Sequence, residues 1–452
     1  MMDARRSVAL LATVGVLLVA LVATGLALLD WRPVGLADAT HLAAFEISLC
    51  VAGALWLVAV SIVRGRRLPR GTICLVLGIA TAMRVLTLLA PPILSSDVYR
   101  YVWDGRVQLS GLNPYRYVPA ADELAFLRDD AVYPHINRAD YAHTVYPPGA
   151  QMIFAAAAAV TPGVFGMKLV MAGFDALAIV ILITLLRMVG RDPAEVLIYA
   201  WLPLPVWEFA GNAHIDAAVA GLLALAMLLA IGRRWAWTGV VLAMATLTKL
   251  LPVVILPAFW RPWNWRLPLA FALTLVVLYV PYISIGDQVL GFLPSYFAEE
   301  GIVNGRGVFL LELLRNVVVL PAWAAHAYLA LLMMVLAAMG LGLAFMTETP
   351  PAPDRRVVQQ ARQALILALV LLVALSPHYP WYLAWLAPFA CLAPQPSVLW
   401  LLAAAPLLAH GSFEYLIVPG VVYGPAIVLA AYALYRGRTA RLTIPSSVVR
   451  SV

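Results

Sequence analysis

The sequence predicts an all-α polytopic membrane protein, and three observations carry that prediction. The 452 residues are 63% hydrophobic and only 12% charged, against about 25% charged residues in an average soluble chain. Apolar runs of roughly 20 residues, the length that crosses a bilayer as a helix, recur along the chain, and mean hydropathy is +0.91. Basic residues gather in short linkers between those runs, as they do on the cytoplasmic side of membrane proteins. The expected architecture is one membrane domain, 1–452, with about 12–14 transmembrane helices and a large first extracytoplasmic loop containing short amphipathic helices.

The first apolar run, 7–29, is too long for a signal-peptide core and reads as a retained helix. Further helices are expected at 41–63, 71–90, 166–187, 194–209, 215–231, 267–285, 322–346, 362–377, 382–395, 397–410 and 417–435. Two half-length helices, 236–248 and 250–260, should meet near "TKLLP" (Thr248 to Pro252), a break that membranes tolerate where backbone lines a cavity. Segment 149–162 is too short to span, so it should lie on the outer surface or dip in and return.

Charge sets the expected sidedness. The linkers "RGRRLPR" (Arg64 to Arg70), "RMVGR" (Arg187 to Arg191), "GRR" (Arg233, Arg234), "RPWNWR" (Arg261 to Arg266), "DRRVVQQAR" (Asp354 to Arg362) and "RGRTAR" (Arg436 to Arg441) belong inside, with Arg5 and Arg6. Residues 91–148 and 286–320 are then outer loops, with smaller outer turns near His214, His378 and His410. The linker 347–361, the tail 436–452 and both termini fall on the cytoplasmic side. The expected location is therefore the cytoplasmic membrane, with any active site extracytoplasmic.

Several function classes are disfavoured. The net charge of +7 comes from arginines scattered between apolar runs, so topology explains it and nucleic acid is not an expected partner. Cys50, Cys74 and Cys391 lie inside apolar runs, where neither a disulfide framework nor a thiolate metal site is indicated. His214 and Asp216 form an H-x-D pair without a third ligand nearby. With no D-x-D and no glycine-rich phosphate loop, no metal or other cofactor is expected.

The first outer loop is unusually rich in chemistry. "PPILSSDVYRYVWDGRVQLSGLNPYRYVP" (Pro91 to Pro119) carries two acids, three arginines and four tyrosines. Ser95 and Ser96 suit helix N-caps, and helical composition follows up to Gly111. On that helix Asp97, Arg100 or Tyr101, and Asp104 share one face. Spacing alone leaves a plain alternative, since an acid in the first turn stabilises a helix by up to about 1 kcal/mol. Interfacial tyrosines are likewise common membrane-belt residues. Yet "NPYRY" (Asn113 to Tyr117) and "HTVYPPGAQ" (His143 to Gln151) add aromatic turns, and aromatic faces with acids and amides suit a sugar pocket.

The run "SSDVYRYVWDGRV", with "NPY" beyond it, "GNAHIDA" (Gly211 to Ala217), "LTKLLPVVILP" (Leu247 to Pro257) and "SPHYPWYLAW" (Ser376 to Trp385) resembles the GT-C superfamily of membrane glycosyltransferases. The chain is most similar to bacterial polyprenyl-phosphate-mannose-dependent α-mannosyltransferases and to glycosyltransferase family 87. The likeness extends from about residue 71 to 395 and rests on short motifs. "HYPWY" stands where that pattern has "HPWY", and the first two helices match nothing specific.

The resemblance implies an inverting enzyme that moves a hexose, foremost mannose, from polyprenyl phosphate to a glycolipid or lipoglycan acceptor. Membrane lipid, donor and acceptor are then its partners. Asp97 becomes the general base, with Tyr101, Asp104, Asn113, Tyr146, His214 and Asp216 as sugar or acceptor contacts. Helix rise puts Asp97 and Asp104 roughly 10 Å apart, wider than the ~5 Å of a retaining carboxylate pair.

The lipid-phosphate leaving group would need cations at membrane depth, and intramembrane ionisable residues are functional candidates. Lys249, at the helix break, is one, although a lysine there also snorkels. Arg84, costly in its helix unless paired, His378 beside Tyr379, Trp381 and Tyr382, and Arg306 in "EEGIVNGRGVF" are the others. Lys168 and Asp175 read as bundle support. A secondary transporter or flippase is the alternative; it predicts internal repeats and short outer loops.

Overall fold

The computed structural model describes residues 4–30, 39–345, 353–409 and 416–442. Its elements are helical throughout, and no strand occurs among the described residues. Residues 347–352 of the linker, His410 and residues 443–452 of the tail lie outside the described residues.

Eight described helices are long and apolar enough to cross a membrane, and a ninth span is formed by the bent pair Pro203–Gly211 and Asp216–Ile231. That is fewer than the expected dozen or more. The shortfall comes from apolar segments that are short, namely Pro148–Val160, Trp235–Thr248, Trp381–Leu392 and Pro396–Ala409. The outward faces are aliphatic: Val276, Val277 and Ile283 on Arg266–Glu299 are each more than half exposed, as helix faces turned to lipid are.

Residues 194–220 are buried almost without exception and form the centre of the bundle. A straight helix was expected over 194–209; instead it is interrupted at Trp201 and Leu202, just before Pro203, which lacks the N–H that helix continuation needs and holds Leu202 extended (ψ 125). A wide π-helical turn follows over Val206–Gly211, and the chain then bends by 118° into Asp216–Ile231. Ala213 takes φ +57 at the bend, a conformation costly for a residue with a Cβ and one that clusters at functional sites.

The bend is pinned to the loop 91–148 by one amide. Asn212 Oδ1 accepts from the backbone N–H groups of Ile93 (2.9 Å) and Leu94 (2.8 Å), and its Nδ2 donates to the Trp207 carbonyl. The loop therefore starts over the bend, and its first helix, Asp97–Leu109, stands directly above it. That helix ends as expected, with Gly111 at φ +82. Ser95, not Ser96, supplies the capping oxygen, at 3.1 Å from Asp97 N.

Pro148–Val160 packs along Asp97–Leu109 at very short range. A Cβ on Gly105 would lie 2.5 Å from the Phe154 carbonyl oxygen, and one on Gly149 would lie 2.8 Å from the Leu247 carbonyl carbon. The predicted break at "TKLLP" is present. Trp235–Thr248 ends where Lys249 turns extended (φ −157, ψ 117), and a short helix resumes at Leu251. Segment 286–320 holds two short helices, Leu293–Glu299 and Phe309–Arg315, separated by a glycine-rich turn.

Candidate active site

A cavity of about 360 Å³ lies where segment 91–148, the break at Lys249 and segment 286–320 converge. Asp97 is the one carboxylate among its lining residues. Its Oδ1 accepts from Asn137 Nδ2 at 3.1 Å and its Oδ2 from the Tyr146 hydroxyl at 3.3 Å. Burial raises the Asp97 carboxyl above the usual aspartate range, against the pull of Asn137, Lys249, Tyr146 and Arg138. Tyr146 and Tyr101 are themselves pushed well above the ordinary phenol value, chiefly by burial, so both remain hydrogen-bond donors.

Two cations face this carboxylate across the cavity. Lys249 Nζ is 2.7 Å from Asp216 Oδ2 and 3.7 Å from the centre of the Tyr382 ring. Arg138 Nε is 2.8 Å from Glu299 Oε2, a pair half open to solvent. The walls between are aromatic. Tyr101 stacks on Phe154 at 4.5 Å, and His214, Trp381 and Tyr379 form a continuous stack with spacings of 3.9 and 4.6 Å. Leu250, Leu251, Phe292, Leu293 and Phe297 complete an apolar side.

The sequence-derived candidates divide sharply. Asp97, Tyr101, Tyr146 and Lys249 line the cavity. Asp104 does not; it is buried beneath, where Arg100 (2.8 Å), Thr144 (2.5 Å) and Gln151 (2.9 Å) saturate its oxygens. Asn113 braces its own turn, donating to the Tyr282 carbonyl and accepting from Tyr115 N. His214 and Asp216, read from the sequence as rim contacts, are fully buried behind Asp97 and Lys249. None of these four residues lines the cavity.

Three expected phosphate ligands are likewise elsewhere. Arg84 is spent within the bundle on Asp175 (2.5 Å) and the Ala200 carbonyl (2.7 Å), with Tyr199 donating to the same aspartate. Lys168, read from the sequence as bundle support and not as a phosphate ligand, donates to the Thr87 and Ala90 carbonyls, closing the end of the third helix. His378 approaches the Gly307 carbonyl (2.9 Å) and Glu300 (3.4 Å), holding the glycine turn; burial keeps its imidazole below the usual value. Arg306 is exposed on that turn.

Sequence reasoning missed Asn137, Arg138, Tyr296 and Glu208. Asn137 and Arg138 lie in a loop whose path has no periodicity to follow, and Tyr296, which also lines the cavity, sits on the short helix Leu293–Glu299. Glu208 carried a signal, being an acid inside an apolar stretch, but it was read as part of a plain helix. Among the described residues no group of three or more His, Cys, Asp or Glu is arranged to hold a metal.

The cavity thus brings together one carboxylate, basic side chains and stacked aromatic rings. No curated protein and no solved structure matches the chain. Residues 7–273, more than half of the chain, match the family described as alpha-(1->6)-mannopyranosyltransferase, N-terminal domain, and with that match and its apolar helices this protein belongs to that family of membrane mannosyltransferases.

Proposed function

We propose that the protein transfers mannose, with inversion, from polyprenyl phosphate to a hydroxyl of a glycolipid or lipoglycan at the outer face of the cytoplasmic membrane. The observation that carries this reading is Asp97, a lone carboxylate on the cavity wall opposite Lys249 and Arg138. Retention through a covalent intermediate would call for a second carboxylate about 5 Å away. The nearest other acids, Asp216 and Glu208, are buried behind the wall.

In the proposed step Asp97 takes the acceptor proton as the acceptor oxygen bonds to the anomeric carbon. The bond from that carbon to the phosphate oxygen breaks, and its electron pair leaves with the phosphate. Lys249 and Arg138 stabilise the charge that gathers there. The cavity's aliphatic side suits the first units of the lipid. Inversion at a β-mannosyl phosphate yields an α-mannoside, the linkage in the family's name, which makes a mannose 6-hydroxyl the proposed acceptor group.

Membranes carrying the protein, given radiolabelled polyprenyl-phosphate mannose and an oligomannoside glycolipid, should form a labelled product. Asp97→Asn should abolish it; equal product from both would remove Asp97 from the role of base. A cysteine at position 97 that reacts only with reagent in the cytosol would overturn the proposed sidedness.

A further inference from the structure

Behind the cavity wall lies a buried group that the transfer step above does not use. His214 is completely buried at the 118° bend, its ring stacked 3.9 Å from Trp381. Neither ring nitrogen has a hydrogen-bond partner, nor has Glu208 Oε2. Leaving such groups unsatisfied costs about 1–3 kcal/mol each, so their placement calls for a reason. The geometry supplies one. His214 Nδ1 is 3.9 Å from Asp97 Oδ2, and His214 Nε2 is 3.3 Å from Glu208 Oε2. The imidazole thus bridges a carboxylate on the cavity wall and one sealed inside the bundle.

We propose that His214 and Glu208 form a proton relay that empties Asp97 after each transfer. The proposal rests on Asp97 being the base of that transfer. The shorter approach to Glu208 fits a resting imidazole with its proton on Nε2 and a lone pair on Nδ1. Once Asp97 holds the acceptor proton, it donates to Nδ1, and the Nε2 proton passes to Glu208. The protonated aspartic acid would otherwise remain beside the new glycosidic oxygen, where it is the acid for the reverse reaction. The relay restores the carboxylate, parks one proton on Glu208 and leaves His214 neutral, with its proton moved from Nε2 to Nδ1 until the return step reverses it. When the phosphate product has left, the proton returns by the same path to the open cavity.

The charges facing His214 are consistent with this direction. Asp97 stands on the outer-loop helix, Glu208 on the π-helical turn, and Asp216 with its partner Lys249 on the neighbouring elements. Trp381 closes the remaining face and excludes water. The backbone enforces the spacing, since His214 N donates to the Glu208 carbonyl at 2.8 Å.

The test uses full-length protein in nanodiscs. His214→Phe keeps a ring against Trp381 but carries no proton; it should lower kcat about 100-fold while donor Kd and thermal midpoint stay near wild type. His214→Gly should lose activity and regain part of it with added imidazole. Glu208→Gln should lower kcat, with a changed solvent isotope effect. Wild-type kcat in His214→Phe, with Asp97→Asn inactive, would overturn the relay and leave the base assignment standing. A readout independent of any donor is the nitrogen-15 shift of the His214 ring. It should respond to Asp97→Asn and to Glu208→Gln; a ring indifferent to both refutes the relay whatever the donor is.

Discussion

Replacing Lys249 by alanine separates two tasks that the structure loads on one ammonium group. Asp216, its partner at 2.7 Å, is fully buried, and the other carboxylate oxygen has no hydrogen bond among the described residues. Lys249→Ala therefore strands a buried charge. Breaking one side of a buried pair costs about 3–5 kcal/mol, and the partial exposure of the lysine, 15%, places the expected loss near the lower end. Lys249→Met combined with Asp216→Asn removes both charges and should recover most of that stability. Donor binding should behave differently. A hydrogen bond to a charged group contributes about 1.5–3 kcal/mol, which is roughly 10- to 150-fold in Kd. Thermal unfolding in nanodiscs and donor Kd by titration calorimetry should be measured on wild type, single and double variants. The single variant should lose both properties, and the double should regain the midpoint but not the affinity. A double variant that binds donor like wild type removes Lys249 from the phosphate. A single variant as stable as wild type refutes the ion-pair argument.

Asp104→Ala leaves Arg100 buried without its acid and should cost about 3–5 kcal/mol; a raised acceptor KM at unchanged thermal midpoint would return Asp104 to sugar binding. On the acid side, the transfer rate is full while Asp97 is ionised and falls as pH drops through its raised pKa, so the limb should lie above that of an exposed aspartate. Because the folded state holds that proton more tightly than the unfolded chain, Asp97 costs stability above its raised pKa. Stability should then rise as pH falls through that window, and Asp97→Asn should flatten the rise. Arg138→Ala breaks a half-exposed pair worth about 0–1 kcal/mol, so donor KM should climb with little change in thermal midpoint. Gly105→Ala should push the loop helix off Phe154 and lower kcat with donor affinity less affected.

Much of this was legible in the sequence where a physical rule acts locally. Apolar run length placed the helices Ala4–Leu28, Ala39–Val63, Thr72–Leu89 and Val164–Met188 to within a few residues, Gly111 ended the loop helix, and Pro252 with Lys249 marked the break. Asp97 was singled out through the family resemblance, and Lys249 because an ionisable residue at a helix break within the membrane needs a reason. What the sequence hid was which ionisable groups are already matched. Arg84 finds Asp175 across 91 positions, and Asp104 finds Thr144 and Gln151 across two turns of loop. Such pairings are non-local and carry no spacing signature. The same reason kept Arg138 from view until the loop folded back over the cavity.

The roof of the cavity is tied to the bundle by backbone hydrogen bonds at both ends. Phe292 N donates to the Thr144 carbonyl at 3.0 Å, and Phe309 N to Ser376 Oγ at 2.8 Å. Between those two rivets the strip is clasped by solvent-accessible ions and glycine corners, whereas the floor bearing Asp97 is locked by saturated interior contacts. A lineage could therefore rewrite the strip from 293 to 307, trading one sugar chain for another at the doorway, while the machinery below kept its register untouched.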